Sequence, residues 1–135
     1  LLARNFLPAR YCSVLREAML RDSALVHCGY SRAHRDCDRI VVDSEELARS
    51  LFDRAKEAIS TFSPLEVTPS EALDQCGATA AGFYEPRALN YKWRACRYLP
   101  GGHFSPHCDG FVTVDKLRSQ LTFMVYLNAA EKGEE

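Results

Sequence analysis

The sequence predicts a domain of the α+β class, with helices in its first half and strands in its second half. Apolar residues recur at spacings of three and four in two segments that end by residue 62, which is typical of one buried helix face. After residue 90 they alternate with more polar residues, which is typical of strands that bury one side. The 135 residues, 47% hydrophobic and 26% charged, have the composition of an ordinary soluble globular protein. We therefore expect a single domain, 1–135.

The first helix is predicted from about Ala9 to Leu20. Pro8 suits the first turn of a helix, because the N–H that proline lacks would have no partner there. Five apolar side chains then form one stripe along the helix: Tyr11, Val14, Leu15, Ala18 and Met19. We expect this stripe to face the core.

A short strand from Arg39 to Val42 precedes the second and longer helix. Asp43 and Glu46 have the spacing of a capping box, which satisfies backbone N–H groups at a helix N-terminus. The stripe of the second helix is Leu47, Leu51, Phe52, Ala55, Ile59 and Phe62. From Ser63 to Asn90, three prolines and two glycines leave little periodicity, which predicts a loop with one helical turn near Glu71 to Gln75.

Three strands are predicted after this loop: Tyr91 to Leu99, Phe104 to Asp109 and Gln120 to Asn128. The first two are separated by a turn at Pro100-Gly101-Gly102. In the last strand one face is wholly apolar (Leu121, Phe123, Val125, Leu127), and the other is less so (Gln120, Thr122, Met124, Tyr126, Asn128). This contrast fits a sheet that packs on helices outside and lines a polar pocket inside. Residues 1–90 would then be a helical lead-in and loop, and 91–135 the first core strands.

His107 and Asp109 are the sequence feature that points most specifically to a chemical function. Residues two apart on a strand point to the same side, so the imidazole and the carboxylate can converge on one metal ion. A 2-His-1-carboxylate triad leaves three positions open on Fe(II), and a His-x-Asp pair supplies two of its three ligands. Taken alone, the triplet is more often a His and an Asp that cap a turn, and only its sequence context favours a metal site.

The surrounding sequence resembles the Fe(II)- and 2-oxoglutarate-dependent dioxygenases of the prolyl 4-hydroxylase-like group. The resemblance is carried by two segments, Arg94-Ala-Cys-Arg-Tyr-Leu-Pro-Gly-Gly-His-Phe-Ser-Pro-His-Cys-Asp-Gly110 and Arg118-Ser-Gln-Leu-Thr-Phe-Met-Val-Tyr-Leu-Asn128. It implies a double-stranded β-helix, or jelly-roll, core flanked by N-terminal helices, of which this chain holds a part. It also implies Fe(II), 2-oxoglutarate as cosubstrate, O2, and ascorbate as a supporting reductant.

The same resemblance implies a role for individual residues. His107 and Asp109 would be iron ligands, Tyr126 would hydrogen-bond the distal carboxylate of 2-oxoglutarate, and Tyr98 would lie against the cosubstrate on a neighbouring strand. Thr122 and Met124 share the less apolar face with Tyr126 and would line the same site. The alternative for the two tyrosines is that each is a half-buried aromatic with its hydroxyl on a backbone carbonyl. Hydroxylation of a substrate C–H bond is the implied reaction, with prolyl residues of a protein or peptide as the default substrate.

The sequence departs from this family in one respect. The family has a second His some tens of residues after the Asp and then a Lys or Arg for the cosubstrate carboxylate, whereas this sequence has no His after His107. We expect a C-terminally truncated catalytic domain that binds iron weakly and is inactive by itself, while the intact protein is an enzyme. Two alternatives are a non-catalytic jelly-roll binding or interaction module that lost the triad, and a cupin-like zinc or manganese protein.

Seventeen basic and eighteen acidic residues give a formal charge of -1, so the sequence lacks the basic surface typical of nucleic-acid or anionic-membrane binding. No apolar run is long enough to cross a bilayer. We therefore expect neither nucleic acid nor a membrane as partner, and a protein, peptide or small molecule as substrate. Six irregularly spaced cysteines without a secretory signal favour reduced thiols in an intracellular compartment, the cytoplasm or nucleus.

A second group of potential ligands, His27, Cys28, His34 and Cys37, lacks the paired Cys-x-x-Cys spacing of zinc sites and is predicted to be an ordinary loop. The basic residues of the same stretch, Arg32, Arg35 and Arg39, either face an acidic substrate or are solvated, and the second interpretation is favoured. Near the motif, Cys108 is predicted to pack away from the metal ligands and His103 to meet solvent.

Overall fold

The computed structural model describes residues 2–21, 24–61, 63–74, 80–115 and 117–129. They form a mixed α+β structure with antiparallel strands, as predicted. The helices are α1 (Ala9–Arg21), α2 (Glu45–Ser60) and α3 (Pro69–Asp74). The strands are β1 (Val26–His27), β2 (Asp38–Asp43), β3 (Leu65–Val67), β4 (Gly82–Tyr84), β5 (Lys92–Arg97), β6 (Thr113–Val114) and β7 (Leu117–Arg118). Among the described residues, no helix has the length and apolar character needed to cross a membrane.

The chain divides into two compact units, each assembled from separate stretches of sequence. The first unit comprises the described residues of 2–41, 94–105 and 124–129, and the second those of 42–93 and 106–123. Cys37 and Ile40 are the buried apolar residues of the first unit. Those of the second unit are Ala48, Leu51, Ala55 and Val67.

Helix α2 has the clearest origin in the sequence. Two residues of its predicted stripe, Leu51 and Ala55, are buried, together with Ala48, which was not predicted. Two acidic residues occupy its first turn, where the helix dipole favours negative charge. The N-cap is Ser44 rather than the predicted Asp43: Ser44 Oγ accepts a hydrogen bond from the Leu47 backbone N–H at 3.2 Å. Asp43 instead ends β2. Phe62, the last residue of the predicted stripe, lies outside the described residues.

A three-stranded sheet has the order β1-β2-β5. Strands β1 and β2 are antiparallel, with Val26 opposite Arg39 and His27 opposite Asp38. Both longer strands, β2 and β5, form where alternation predicted them. The last residue of β5, Arg97, is bound to the first residue of β2, Asp38. The Arg97 guanidinium donates to the Asp38 carboxylate through Nη2 at 2.6 Å and Nε at 3.2 Å.

The predicted turn after β5 is present and depends on two adjacent glycines. Gly102 N–H donates to the Leu99 carbonyl at 2.7 Å, and Gly101 has a φ of 79°. Pro100 followed by a residue with positive φ is the pattern of a type II turn. A Cβ on Gly102 would lie 2.8 Å from the backbone oxygens of both Asp36 and Leu99, so no larger residue fits without a backbone shift.

The stretch from 63 to 90 contains more structure than predicted. Helix α3 lies at the position of the predicted helical turn, but β3 and β4 were not expected. They pair antiparallel, with Leu65 opposite Tyr84 and Val67 opposite Gly82. Three-residue strands are too short for alternation to be distinguished from chance, which is why the sequence predicted only a loop.

Two predicted strands, at 104–109 and 120–128, do not form ladders among the described residues. The first contributes one isolated bridge, from Phe104 to Arg35. Alternation indicates that a segment suits a pleated surface, whereas a strand also needs a neighbour with open backbone groups. Between these segments, β6 and β7 pair as a short hairpin that was not predicted. From residue 122 to 128 the predicted apolar side chains are nonetheless half-buried and the intervening ones exposed.

Candidate metal centre

The structure brings together His107, Asp109 and Thr122 in the second unit. His107 Nε2 lies 3.3 Å from Asp109 Oδ1, and the Thr122 hydroxyl donates to Asp109 Oδ2 at 2.5 Å. The His107 side chain is 32% exposed and the Asp109 side chain 56%. Both groups predicted as ligands thus face the same point while remaining open to a small molecule or ion from solvent.

The separation of these two groups fits shared ligation of a metal ion. Two atoms each about 2.1 Å from one ion, in adjacent octahedral positions, lie about 3 Å apart. His107 Nε2 and Asp109 Oδ1 are 3.3 Å apart, close to this separation. An imidazole nitrogen and a carboxylate oxygen are also a donor set that suits Fe(II). Within the described ranges, however, no third His, Cys, Asp or Glu joins them to complete a three-ligand group.

Thr122 was predicted to line a cosubstrate site, and the structure gives it a direct contact with the carboxylate. By donating to Oδ2, its hydroxyl leaves Oδ1 directed towards His107. Partners that hydrogen-bond a ligand in this way fix its orientation and tune its affinity for a metal. The sequence indicated the position of Thr122 but not this role.

The position of Thr122 is fixed by the packing of the next residue, Phe123. Phe123 lies edge-to-face against Trp93, with ring centroids 6.5 Å apart and an interplanar angle of 76°. Trp93 Nε1 in turn donates to the backbone carbonyl of Ser44 at 3.2 Å. The N-cap of α2, the indole and the Asp109 carboxylate are thereby linked within one unit. Sequence reasoning missed Trp93, although a lone tryptophan within a predicted strand was a visible signal.

Tyr98, Met124 and Tyr126, the other predicted cosubstrate contacts, belong to the first unit. Met124 is 65% exposed and Tyr126 is 76% exposed, so both side chains are open to solvent. Tyr98 lies beside the Arg35 guanidinium. Partial burial raises the pKa of Tyr98 above its ordinary value, and the hydrogen bond with Arg35 offsets only part of this effect.

Arg35 is the centre of a polar and sulfur-rich cluster in the first unit. Its Nε donates to Cys37 Sγ and its Nη2 to Cys96 Sγ, each at 3.2 Å. The guanidinium carbon lies 4.1 Å from the centroid of the Phe104 ring, a cation–π contact. Burial acts to lower the pKa of Arg35, but the Cys37 and Tyr98 contacts outweigh it and raise the pKa.

His27 and His34, two members of the second group of potential ligands, make other contacts. His27 Nε2 lies 3.5 Å from Asp36 Oδ1, and His34 is edge-to-face with Phe104 at 5.4 Å. The three arginines of this stretch contact the chain itself: Arg32 pairs with Asp36, Arg39 lies over Tyr30, and Arg35 forms the cluster described above. His103 is exposed as predicted, with Nε2 3.3 Å from the Ala33 carbonyl.

The expectation of reduced thiols is corrected at one position. Cys12, Cys28, Cys37 and Cys96 are free thiols, but Cys108 is disulfide-bonded. Cys108 lies between the two predicted ligands in the sequence, and its disulfide was not predicted, because spacing alone does not reveal which cysteines meet in space.

No family model, curated protein or solved structure matches this chain.

Proposed function

We propose that this chain carries part of the active site of an Fe(II)- and 2-oxoglutarate-dependent oxygenase that hydroxylates a substrate C–H bond. The observation that supports the proposal best is the convergence of His107 Nε2 and Asp109 Oδ1 to 3.3 Å, in a sequence that resembles the prolyl 4-hydroxylase-like group. The proposal includes a specific architecture, a jelly-roll core with flanking N-terminal helices.

His107 and Asp109 would hold Fe(II), which supplies the activation of O2 coupled to decarboxylation of 2-oxoglutarate to succinate and CO2. Asp109 provides negative charge, and Thr122 keeps Oδ2 of that carboxylate occupied so that Oδ1 is presented towards His107. The resemblance, and no contact in the structure, assigns cosubstrate binding to Tyr126, Tyr98 and Met124. The resemblance suggests a prolyl residue of a protein or peptide as substrate, with ascorbate as the reductant that supports turnover.

The direct test is conversion of 2-oxoglutarate to succinate by the full-length protein with added Fe(II), with and without O2. We expect oxygen-dependent succinate that is lost in His107→Ala and in Asp109→Ala. His103→Ala is the matched control for the first variant, because His103 lies on the same segment but contacts Ala33. Asp53→Ala serves for the second, because Asp53 pairs with Lys56 on the surface of α2.

One observation favours a second candidate, a jelly-roll binding or interaction module without catalysis. The sequence has no His after His107 that could serve as the second His of the family's triad. The turnover assay separates the two functions. Well-folded, iron-loaded protein that forms no succinate would favour the binding module, and succinate formation that survives both alanine substitutions would remove His107 and Asp109 from the site.

A further inference from the structure

Two free cysteines, Cys28 and Cys37, lie beside each other just beyond the β1–β2 pair. The paired residues end with His27 opposite Asp38, and Cys28 and Cys37 are the next residue on each side. The Cys28 N–H donates to the Cys37 carbonyl at 3.0 Å, which identifies them as a directly opposed, hydrogen-bonded pair. Side chains of directly opposed residues lie on the same face of a sheet, so the two thiols are neighbours.

This arrangement suits a disulfide. Directly opposed residues of the hydrogen-bonded type have Cα atoms about 5.5 Å apart, and disulfides span Cα separations of about 4.4–6.8 Å. Both sulfurs also contact one residue, Arg35: Cys28 Sγ lies 3.9 Å from its carbonyl oxygen, and its Nε lies 3.2 Å from Cys37 Sγ. Joining them therefore requires side-chain rotation and no rearrangement of the strands.

The surroundings make the two thiols chemically unequal. Cys28 is half-buried, whereas Cys37 is only 4% exposed. Partial desolvation acts to raise the pKa of Cys28, but hydrogen bonds from the Tyr30 backbone and the Cys37 thiol outweigh it, and the pKa is lowered. For Cys37, burial raises the pKa, and the hydrogen bond from Arg35 offsets only part of that rise.

We propose that Cys28 and Cys37 are a peroxide-reactive dithiol, in which Cys28 is the attacking thiolate and Cys37 the resolving thiol. Cys28 thiolate attacks one oxygen of a hydroperoxide and breaks the O–O bond, giving a sulfenic acid and, with a proton, water or an alcohol. The Cys37 sulfur then displaces the sulfenic hydroxyl, which leaves as a second water with the Cys37 proton. Two thiols are oxidised to one disulfide, and one peroxide is reduced by the same two electrons.

Arg35 has a defined part in the second step. Its Nε lies 3.2 Å from Cys37 Sγ, so the guanidinium stabilises negative charge on that sulfur as its proton departs. Because the same guanidinium contacts Cys96 and Phe104, formation of the disulfide would change the partners of Arg35. The proposal concerns the first unit alone and does not depend on the metal centre.

The test is peptide mapping of the 135-residue chain without reduction, before and after hydrogen peroxide. Trypsin separates the two cysteines, because Arg32 and Arg35 lie between them, and it isolates Cys96 in the tripeptide that ends at Arg97. We expect a linked pair of peptides, one with Cys28 and one with Cys37, to appear with peroxide and to disappear with reductant. The disulfide at Cys108 is present before oxidation and measures the recovery of linked peptides.

Control variants and a second probe distinguish loss of the Cys28–Cys37 link from a folding defect. Cys12→Ser should leave the Cys28–Cys37 link unchanged, because Cys12 lies on α1, and Cys96→Ser should also leave it intact. Protein that has not been treated with reductant, in which Cys28 and Cys37 are free and Cys108 stays in its disulfide, should bind phenylarsine oxide, which bridges two adjacent thiols. Cys28→Ser should lose this binding. A Cys37–Cys96 link, oxidation of Cys28 to the sulfinic acid without any link, or equal reaction of Cys12 and Cys28 with peroxide would overturn the proposal.

Discussion

At the scale of single residues, the structure adds Thr122 to the pair that the sequence identified. The His-x-Asp spacing on a strand predicted that His107 and Asp109 would point to the same side. Their side chains lie 3.3 Å apart, although residues 107–109 are not in a paired strand. The contact from Thr122 to Asp109 spans thirteen residues of sequence. No local pattern encodes such a contact, because it depends on how two segments meet.

The Thr122 contact leads to a prediction about metal affinity. Thr122→Val keeps the shape of the side chain but removes the donor to Asp109, and we expect metal affinity to fall by a factor of about 10–100, the usual effect of losing such a partner. Thr122→Ser, which keeps the hydroxyl, should retain most of the affinity. Isothermal titration with Mn(II), an oxygen-stable substitute for Fe(II), measures both. Equal affinities in the two variants would show that the hydroxyl does not orient the carboxylate.

At the scale of elements, helix positions were predictable and short strand pairs were not. The stripes predicted the positions of α1 and α2 within a residue or two, because three or more turns of periodicity are hard to mistake. The expectation that the α1 stripe faces the core was wrong, since no residue of α1 is buried and Val14 is 60% exposed. The N-cap of α2 was predicted one residue too early. Both Asp43 and Ser44 are good N-caps, but Asp43 is the last residue of β2, so Ser44 caps the helix. Strands β3, β4, β6 and β7 have two or three residues each and carry too little pattern to recognise.

The N-cap of α2 gives a stability prediction. Ser44→Ala removes the acceptor for the Leu47 N–H and should lower the free energy of unfolding by about 1 kcal/mol. The Ser44 carbonyl that accepts from Trp93 is unchanged in this variant. Ser13→Ala is the control, because the exposed Ser13 hydroxyl only donates back to the Ala9 carbonyl within α1. Urea unfolding should show a clear shift for the first variant alone, and equal midpoints would contradict the capping role.

The glycine turn after β5 gives a second prediction at this scale. A Cβ at Gly102 would meet two backbone oxygens at 2.8 Å, so Gly102→Ala should destabilise the chain by about 1–3 kcal/mol. Gly110→Ala is the matched control, since a Cβ there has no atom within 4 Å. Thermal unfolding followed by circular dichroism compares them. Melting temperatures that fall equally, or not at all, would show that the close approach at Gly102 is not a constraint.

At the scale of the whole molecule, the sequence predicted the α+β class but not the division into two units. Each unit is built from stretches that lie far apart in the chain, so its composition reflects long-range contacts that no local pattern records. The cysteines illustrate the same limit. Their number and spacing favoured free thiols, yet the structure pairs Cys108 in a disulfide and sets Cys28 opposite Cys37.

The central claim is that His107 and Asp109 bind one metal ion, and an NMR titration of the ¹⁵N-histidine-labelled chain with Mn(II) tests it most directly. A paramagnetic ion broadens the resonances of the nuclei closest to it. We predict that the His107 imidazole signals broaden first, ahead of those of His27, His34 and His103, and that Asp109→Ala abolishes this preference. Broadening that begins at His27 or His34, or that is the same with and without the Asp109 carboxylate, would contradict the account.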